Sequence, residues 1–375
     1  MGDLVSAIGA AEHAARLESL RGALAESGAD VAYVTGAASV RYLCGFAPLP
    51  DERLCALLLP VASEPVLVVS ALEEAHARDN AAGIPLRTFS DADGPAQVLS
   101  DMLAATAPAV LAVEKSVVTV AEWERLGGIR SGLGYVDLSP VLARLRMVKS
   151  TAELGRLRAA AGIADRVVSE LASVLEVGAR ERELALEVDR LLRRHGSEQA
   201  AFPSLVLSGP TGAMPHGVPG DRPLAAGDLV IVDCGAMVDG YLSDLTRTFS
   251  IGDPGPRALE LHAAVRDAQA AGCCAARAGT ACSAVDRVTR GVIAQAGLGE
   301  WFVHRTGHGL GLEEHELPSL VEGDETELLD DMVVTVEPGV YLPGFGGVRI
   351  EDAVVVTEVG DARLTSAPRD LVVCR

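Results

Sequence analysis

A predicted hairpin that carries two acids constrains this chain more than any other feature. The acids are Asp233 and Asp244, and two apolar runs between them flank the pair Asp239-Gly240. An Asp-Gly pair between strand-like runs predicts a two-residue type I′ turn, which fixes the register of the hairpin. That register places Asp233 opposite Thr246 and makes Asp244 a diagonal neighbour on the same face. The two carboxylates are therefore expected to lie close enough to hold a cation.

The acid on the first strand stands where a buried residue is expected. Leu229, Ile231 and Asp233 share one face because side chains two apart on a strand point the same way. An unpaired charge on a covered face is costly. We therefore expect a positive group to compensate Asp233. Cys234 alternates to the opposite face and is expected to be a small core residue.

Histidines concentrate in one downstream stretch. His304, His308 and His315 lie in a glycine-rich segment whose composition disfavours a helix. The chain has eight histidines in all, so three within twelve positions indicate a site.

Two glutamates flank a second predicted hairpin. Glu337 and Glu351 lie at or near strands on either side of a turn centred near Gly344. This turn places the two glutamates opposite each other and puts Arg349 on their face.

These acids and one imidazole form a set that suits metal binding. Its members are Asp233, Asp244, His308, Glu337 and Glu351. Oxygen-rich ligands with imidazole favour Mn²⁺ over a structural zinc, and Co²⁺, Fe²⁺ and Zn²⁺ are the alternatives. Two divalent ions about 3.5 to 4 Å apart can activate water and polarise a carbonyl. The set therefore predicts hydrolysis of an amide or ester.

At these residues the chain resembles the pita-bread metallopeptidases, which include Xaa-Pro aminopeptidases and Xaa-Pro dipeptidases (prolidases). The resemblance extends over nearly the whole sequence. It covers residues 214–217, 243–248, 307–312 with His315, 336–341 and 348–352, and it reaches 41–46 and 146–153. The family is expected to cleave peptides with proline at the second position.

The resemblance implies a role for each ligand. Asp233 is expected to bind one metal ion, and Asp244 and Glu351 to bridge the two. His308 and Glu337 complete the sphere of the second ion. Glu337 is also expected to carry the proton from the nucleophilic water.

The resemblance also implies residues around the substrate. His216, His304 and His315 are expected to line the pocket, with His315 near the scissile carbonyl or its oxyanion. Arg349 is expected to contact the ligands and not the metal ions.

The chain is long enough for two domains, and the predicted elements divide near residue 145. Residues 1–145 are expected to form a smaller mixed α/β domain. Residues 146–375 are expected to form an α+β domain with the pita-bread fold and a curved antiparallel sheet. Ser150 and Glu153 form a predicted capping box that opens its first long helix. Paired helices and a hairpin then occur twice, which indicates two pseudo-symmetric halves.

Composition narrows the partners and the compartment. The formal net charge of −20 argues against binding nucleic acid, and no apolar run is long enough for a membrane span. Seven cysteines without Cys-x-x-C spacing favour reduced thiols. The first six residues lack the features of a secretion signal, so a cytoplasmic location is expected. The resemblance further implies a homodimer.

The choice between an aminopeptidase and a dipeptidase rests on position 319. Some prolidases of the family carry an arginine just after the His-Glu-x-Pro stretch, where it grips the carboxylate of a dipeptide. Here Ser319 follows Pro318. The sequence therefore favours an Xaa-Pro aminopeptidase, with a dipeptidase as the alternative. A metal-free creatinase-like amidinohydrolase and a non-enzymatic binding module are the rivals from other classes, and both are expected to have lost some of these ligands.

Overall fold

The structure is a computed structural model, and it describes residues 8–49 and 52–375. The expectation that a secretion signal is missing concerns the first six residues, which lie outside the described residues. No helix in the described part of the chain is long and apolar enough to cross a membrane. The chain divides into two compact units, and their boundary along the sequence lies between Arg146 and Met147.

The N-terminal unit is a mixed six-stranded sheet with helices. Its helices are α1 (Ala10–Ser27), α2 (Ala37–Cys44), α3 (Glu74–Asn80), α4 (Ala96–Thr106), α5 (Val120–Ile129) and α6 (Ser139–Met147). Its strands are β1 (Val31–Val34), β2 (Ala56–Pro60), β3 (Val66–Ser70), β4 (Leu86–Phe89), β5 (Val110–Val113) and β6 (Gly134–Asp137). The strand order is β4-β3-β2-β1-β5-β6, with β2 antiparallel to both neighbours. Every residue of β1 and β2 is buried, which explains their uninterrupted apolar sequence.

The C-terminal unit contains two pairs of helices, each followed by strands. The helices are α7 (Thr151–Leu171), α8 (Glu181–Arg194), α9 (Gly255–Ala275) and α10 (Cys282–Gln295). The capping box at the start of α7 is confirmed, since Ser150 accepts from the Glu153 amide and Glu153 accepts from the Ser150 amide.

The strands of this unit form two main sheets and two small ones. The strands are β7 (Leu205–Ser208), β8 (Leu229–Cys234), β9 (Met237–Val238), β10 (Tyr241–Leu242), β11 (Leu245–Ile251), β12 (Gly307–Gly309), β13 (Glu316–Leu320), β14 (Val333–Val336), β15 (Gly339–Leu342), β16 (Gly346–Arg349), β17 (Asp352–Val355), β18 (Ala362–Arg363) and β19 (Val372–Cys374). The sheet orders are β19-β11-β8-β7, β13-β12-β14-β17-β18, β10-β9 and β15-β16. The predicted repeat of helices followed by a hairpin is confirmed.

The aspartate hairpin has the predicted register. Asp239 and Gly240 both have positive φ, 48° and 74°, as a type I′ turn requires. Strand β11 pairs with β8 so that Thr246 lies opposite Asp233. Asp244 lies one residue before β11, at the mouth of the ladder.

Both faces of β8 are buried, and they serve different purposes. Val230, Val232 and Cys234 join the apolar cluster that α7 and α8 supply. This confirms Cys234 as a core residue. Asp233 projects from the opposite face, away from those helices.

The second hairpin also has the predicted register. In the β15-β16 ladder Gly339 pairs with Arg349, and in the β14-β17 ladder Val336 pairs with Asp352. The two ladders share one register, and Glu337 and Glu351 occupy the opposed positions between them. The ladder is interrupted there because the amide of Glu337 donates to Thr306 O and the amide of Glu351 donates to Thr246 O.

The burial of His262 on α9 predicts a loss of stability in acid. Burial, followed by the charge of Arg266, lowers the pKa of His262 to about 4. An unfolded histidine has a pKa of about 6.5, so the unfolded chain takes up a proton first as the pH falls. This contribution to stability is complete above about pH 6.5 and is lost towards pH 4, by roughly 2 to 3 kcal/mol.

Melting curves between pH 8 and pH 4.5 test this expectation. The wild-type midpoint should fall more steeply than that of His262→Phe below pH 6.5, whereas their difference at pH 8 reports packing alone. Parallel curves through the acidic range would contradict it.

Candidate metal centre

His308 is held by a strand in which only glycine fits on either side. A side chain at Gly307 would place its Cβ 1.8 Å from Thr335 O, and one at Gly309 would place it 2.2 Å from Leu317 O. The Gly-His-Gly sequence therefore lets β12 pass between β13 and β14. Close packing of these backbones leaves the imidazole as the one side chain that β12 presents.

The structure brings three of the predicted ligands into one group. Ligand atoms of Asp244, His308 and Glu351 all lie within 4.8 Å of one another, and all three residues are buried. Glu337 borders this group through His308, whose Nε2 lies 3.2 Å from Glu337 Oε1. Asp233 borders it from β8, where Arg349 engages one of its oxygens.

The backbone selects which nitrogen of His308 faces the acids. Its Nδ1–H donates to Gly309 O at 3.0 Å. Nε2 therefore points at the carboxylates, 3.2 Å from Glu337 Oε1 and 3.8 Å from Asp244 Oδ2. A neutral imidazole in this orientation offers the Nε2 lone pair to a cation, and a protonated one donates to Glu337.

Arg349 is the positive group that compensates Asp233. Its Nη2 donates to Asp233 Oδ2 in a short contact, and its Nε donates to Thr246 Oγ1 at 3.1 Å. Thr246 in turn donates to Glu351 Oε2 at 2.6 Å. One guanidinium thus links an acid of the first hairpin to an acid of the second.

Several carboxylate oxygens nevertheless have no partner. Asp233 Oδ1, Asp244 Oδ1 and Glu351 Oε1 are buried and accept no hydrogen bond from any described residue. Buried charged oxygens without partners are unfavourable. One guanidinium also cannot balance four neighbouring carboxylates. The donor set, hard oxygen with one imidazole, therefore fits divalent cations.

The same crowding shifts the acidities of the carboxyl groups. Burial raises the pKa of Asp244, and the neighbouring Asp233 raises it further. Burial likewise raises the pKa of Glu351, with Asp244 adding to the effect. Burial also opposes ionisation of Glu337, but the hydrogen bond and charge of His308 outweigh it and lower the pKa of Glu337. Glu337 is thus the acid best held as an anion by the protein's own groups.

His304 is fixed by protein partners on both nitrogens. Its Nδ1–H donates to Arg305 O at 2.8 Å, and its Nε2 lies 2.9 Å from Tyr341 Oη. Arg349 Nη1 donates to the same Tyr341 oxygen at 3.0 Å. The Tyr341 hydroxyl therefore donates to His304, and both nitrogens of His304 are engaged within the protein.

The other two predicted pocket histidines are exposed. His315 packs its ring edge-on against His308, with centroids 4.4 Å apart. Burial of part of the ring, together with the charges of His308 and Arg305, lowers the pKa of His315 to about 4. His216 follows Pro215, whose carbonyl accepts from Arg349 Nη1 at 3.4 Å. His315 can therefore present a neutral ring to a ligand, and His216 is exposed where a ligand could contact it.

The helix residues that hold the His304 segment are not predicted from the sequence. Arg290 on α10 donates to Phe302 O and His304 O, each at 2.9 Å, and stacks on the Phe302 ring at 4.3 Å. Asp286 binds Arg290 and also accepts from Thr306 at 2.7 Å. An Asp-Arg pair four residues apart on a helix was the available signal, and it is also typical of ordinary surface helices.

Comparison with known proteins identifies the family. The description "Metallopeptidase family M24" matches residues 155–358, and "Creatinase/Prolidase N-terminal domain" matches residues 16–148. This chain belongs to metallopeptidase family M24. It is therefore a peptidase that depends on metal, and its C-terminal unit has the pita-bread fold.

Individual members of the M24 family resemble this chain along its whole length. "Probable dipeptidase PepE" from Mycobacterium tuberculosis is 38% identical over 367 residues, which cover 96% of each protein. The structure of an Xaa-Pro dipeptidase from Bacillus anthracis matches with a TM-score of 0.91 at 32% identity, covering 96% of this chain and 99% of that one. An X-Pro aminopeptidase from Thermotoga maritima matches with a TM-score of 0.87 at 30% identity, covering 95% and 99%.

The two hydrogen bonds from Arg290 predict that its removal lowers activity without changing metal content. Arg290→Ala removes two hydrogen bonds to the segment that carries His304, so kcat/KM for peptide hydrolysis should fall about tenfold. Metal content measured on purified protein should not change. Arg287→Ala, an exposed arginine on the same helix, is the matched control. Equal activities of the two variants would contradict a positioning role.

Proposed function

We propose that this chain is an Xaa-Pro dipeptidase that hydrolyses the bond before a C-terminal proline, using two divalent metal ions. The Mycobacterium tuberculosis protein and the Bacillus anthracis structure carry dipeptidase names, and both are more similar to this chain than the Thermotoga maritima X-Pro aminopeptidase is, which supports this choice. The sequence favours an aminopeptidase because Ser319 stands where some prolidases carry an arginine. The comparisons favour its alternative, the dipeptidase, and we adopt that alternative here.

The observation that carries the metal proposal is the set of buried carboxylate oxygens that have no hydrogen-bond partner within residues 8–49 and 52–375. Asp233 would hold one ion, Asp244 and Glu351 would bridge both, and His308 with Glu337 would complete the second. Mn²⁺ is the ion we expect from the donor set, with Co²⁺, Fe²⁺ and Zn²⁺ as alternatives. When bound, such ions would polarise the scissile carbonyl as Lewis acids and would lower the pKa of the water that attacks it.

The protein's own groups then handle protons and charge. We infer that Glu337 takes the proton of the attacking water and passes it to the proline nitrogen as the C–N bond breaks. Its pKa is lowered, so it begins as the anion that can accept a proton. His315, whose ring packs against that of His308, would donate to the oxyanion.

Three further residues are proposed to shape the pocket rather than to transfer protons. His216 would face the substrate from its exposed position. His304 would act through Tyr341, since both its nitrogens are engaged. Arg349 would orient Asp233 and offset part of its charge.

The proposal includes the organisation of the whole protein. Residues 1–145 would form the N-terminal domain and residues 146–375 the catalytic domain of a homodimer. All seven cysteines are free thiols, which supports a reducing compartment such as the cytoplasm. Neither nucleic acid nor a membrane is expected as a partner.

Hydrolysis of short proline peptides by metal-stripped and reconstituted protein tests the activity. With Mn²⁺ restored, Ala-Pro should be cleaved and Ala-Pro-Ala should be cleaved much more slowly. Ala-Ala controls for the requirement for proline, and Co²⁺, Fe²⁺ and Zn²⁺ in parallel identify the preferred ion. Preferential cleavage of Ala-Pro-Ala would restore the aminopeptidase assignment. Absence of metal-dependent cleavage would reject both.

Asp244→Asn separates the role of this acid in metal binding from its role in folding. Removing one charge from a cluster of like charges should leave the metal-free protein as stable as the wild type or more so. Bound metal and the rise in melting temperature on adding Mn²⁺ should both fall sharply. Asp253→Asn, at an exposed position, is the control. Normal metal content in Asp244→Asn would contradict its assignment as a ligand.

A further inference from the structure

Arg305 lies beside Ser319, the residue on which the choice between aminopeptidase and dipeptidase depends. Its Nη1 lies 3.4 Å from Ser319 Oγ and donates to it in a long hydrogen bond. Ser319 is the position where an arginine was expected for a dipeptidase. The guanidinium missing from position 319 is therefore supplied, from the neighbouring segment, to the same region of space.

Strand register puts this region on the face of the metal centre. Ser319 on β13 lies directly opposite His308 on β12. Directly opposed residues of an antiparallel pair project on the same side, with Cβ atoms about 4.5 to 5.5 Å apart. Since His308 faces the carboxylates, Ser319 and the Arg305 guanidinium border the centre on that side.

No residue in the described part of the chain neutralises the charge of Arg305. Its side chain is half-buried and forms no ion pair with any residue that the structure describes. Nearby cations differ in this respect. Lys149 pairs with Glu316 at 3.0 Å, and Arg349 pairs with Asp233. In a protein with a net charge of −20, a half-buried arginine that keeps no carboxylate of its own suits an anion from outside.

The substrate of a dipeptidase brings such an anion. The free carboxylate of the C-terminal residue is the feature that distinguishes a dipeptide from a longer peptide, and it lies on the carbon next to the scissile nitrogen. A planar guanidinium recognises a carboxylate with two parallel hydrogen bonds. We propose that Arg305 is the specificity-determining residue that binds this carboxylate, with Ser319 holding the guanidinium in place. This inference rests on the proposed dipeptidase function.

Substrates that differ only in the carboxylate provide the test. Initial rates are measured for Ala-Pro and for Ala-prolinamide with Mn²⁺-loaded wild type, Arg305→Ala, Arg305→Lys and the control Arg257→Ala, an exposed arginine on α9. Arg305→Ala should lower kcat/KM for Ala-Pro about 10- to 100-fold, mainly through KM. The rate for Ala-prolinamide should change less than about threefold, within the effect of an ordinary surface substitution. Arg305→Lys keeps the charge without the planar fork and should retain part of the preference.

A guanidinium moved to position 319 provides a second test. Because Ser319 Oγ is 3.4 Å from the guanidinium of Arg305, Ser319→Arg in the Arg305→Ala background should recover part of the lost preference for Ala-Pro over the amide. If Arg305→Ala does not fold, Arg305→Gln replaces it, because glutamine keeps a long polar side chain without the charge.

The outcomes separate this inference from the proposed function. Wild-type protein that does not cleave Ala-Pro would overturn the proposed function, and the inference with it. Wild-type protein that cleaves Ala-Pro, combined with an equal loss for acid and amide in Arg305→Ala, would overturn the inference alone, because the arginine would then be structural. An unchanged preference in Arg305→Ala would overturn it too. A selective loss for the acid, recovered by Ser319→Arg, supports it.

Discussion

The repulsion among four clustered carboxylates, three of them buried and Glu337 partly exposed, is the constraint on which the rest of the C-terminal unit depends. Asp233, Asp244, Glu337 and Glu351 converge with one guanidinium to offset them, and three of their oxygens lack any partner among the described residues. Such a cluster is unstable unless cations enter it or protons remain on it. Because the acids repel one another, other contacts of the fold must keep them in place and away from solvent.

Two hairpins and one arginine provide those means. Each hairpin fixes its acids through register, the first by a type I′ turn and the second by two ladders that share one alignment. Arg349 connects them through Asp233 and, by way of Thr246, through Glu351. The helices pack on the opposite face of β8, where the sequence is apolar. The acids can thus be buried without disturbing the hydrophobic core.

The choice between the two subclasses depends on more than the residue at position 319. Ser319 lacks a charge, and the sequence therefore favours an aminopeptidase. Arg305 lies fourteen positions earlier, yet its guanidinium lies next to the Ser319 hydroxyl. A binding function belongs to a point in space, and two residues on neighbouring segments can each supply it. The same reasoning applies to Arg290, which supports the His304 segment from a helix.

The sequence by itself determined the long helices and the two hairpin registers of the C-terminal unit, the capping box at Ser150 and the family, because these depend on local turn chemistry and on residues close in the chain. It also indicated the acids and histidines, since their clustering exceeds what ordinary surfaces need. Only the tertiary structure decided that Asp244, His308 and Glu351 form the closest group, that Tyr341 engages His304, and that Arg305 reaches Ser319. Those contacts join strands, loops and helices through side-chain orientation, which spacing along the chain does not encode.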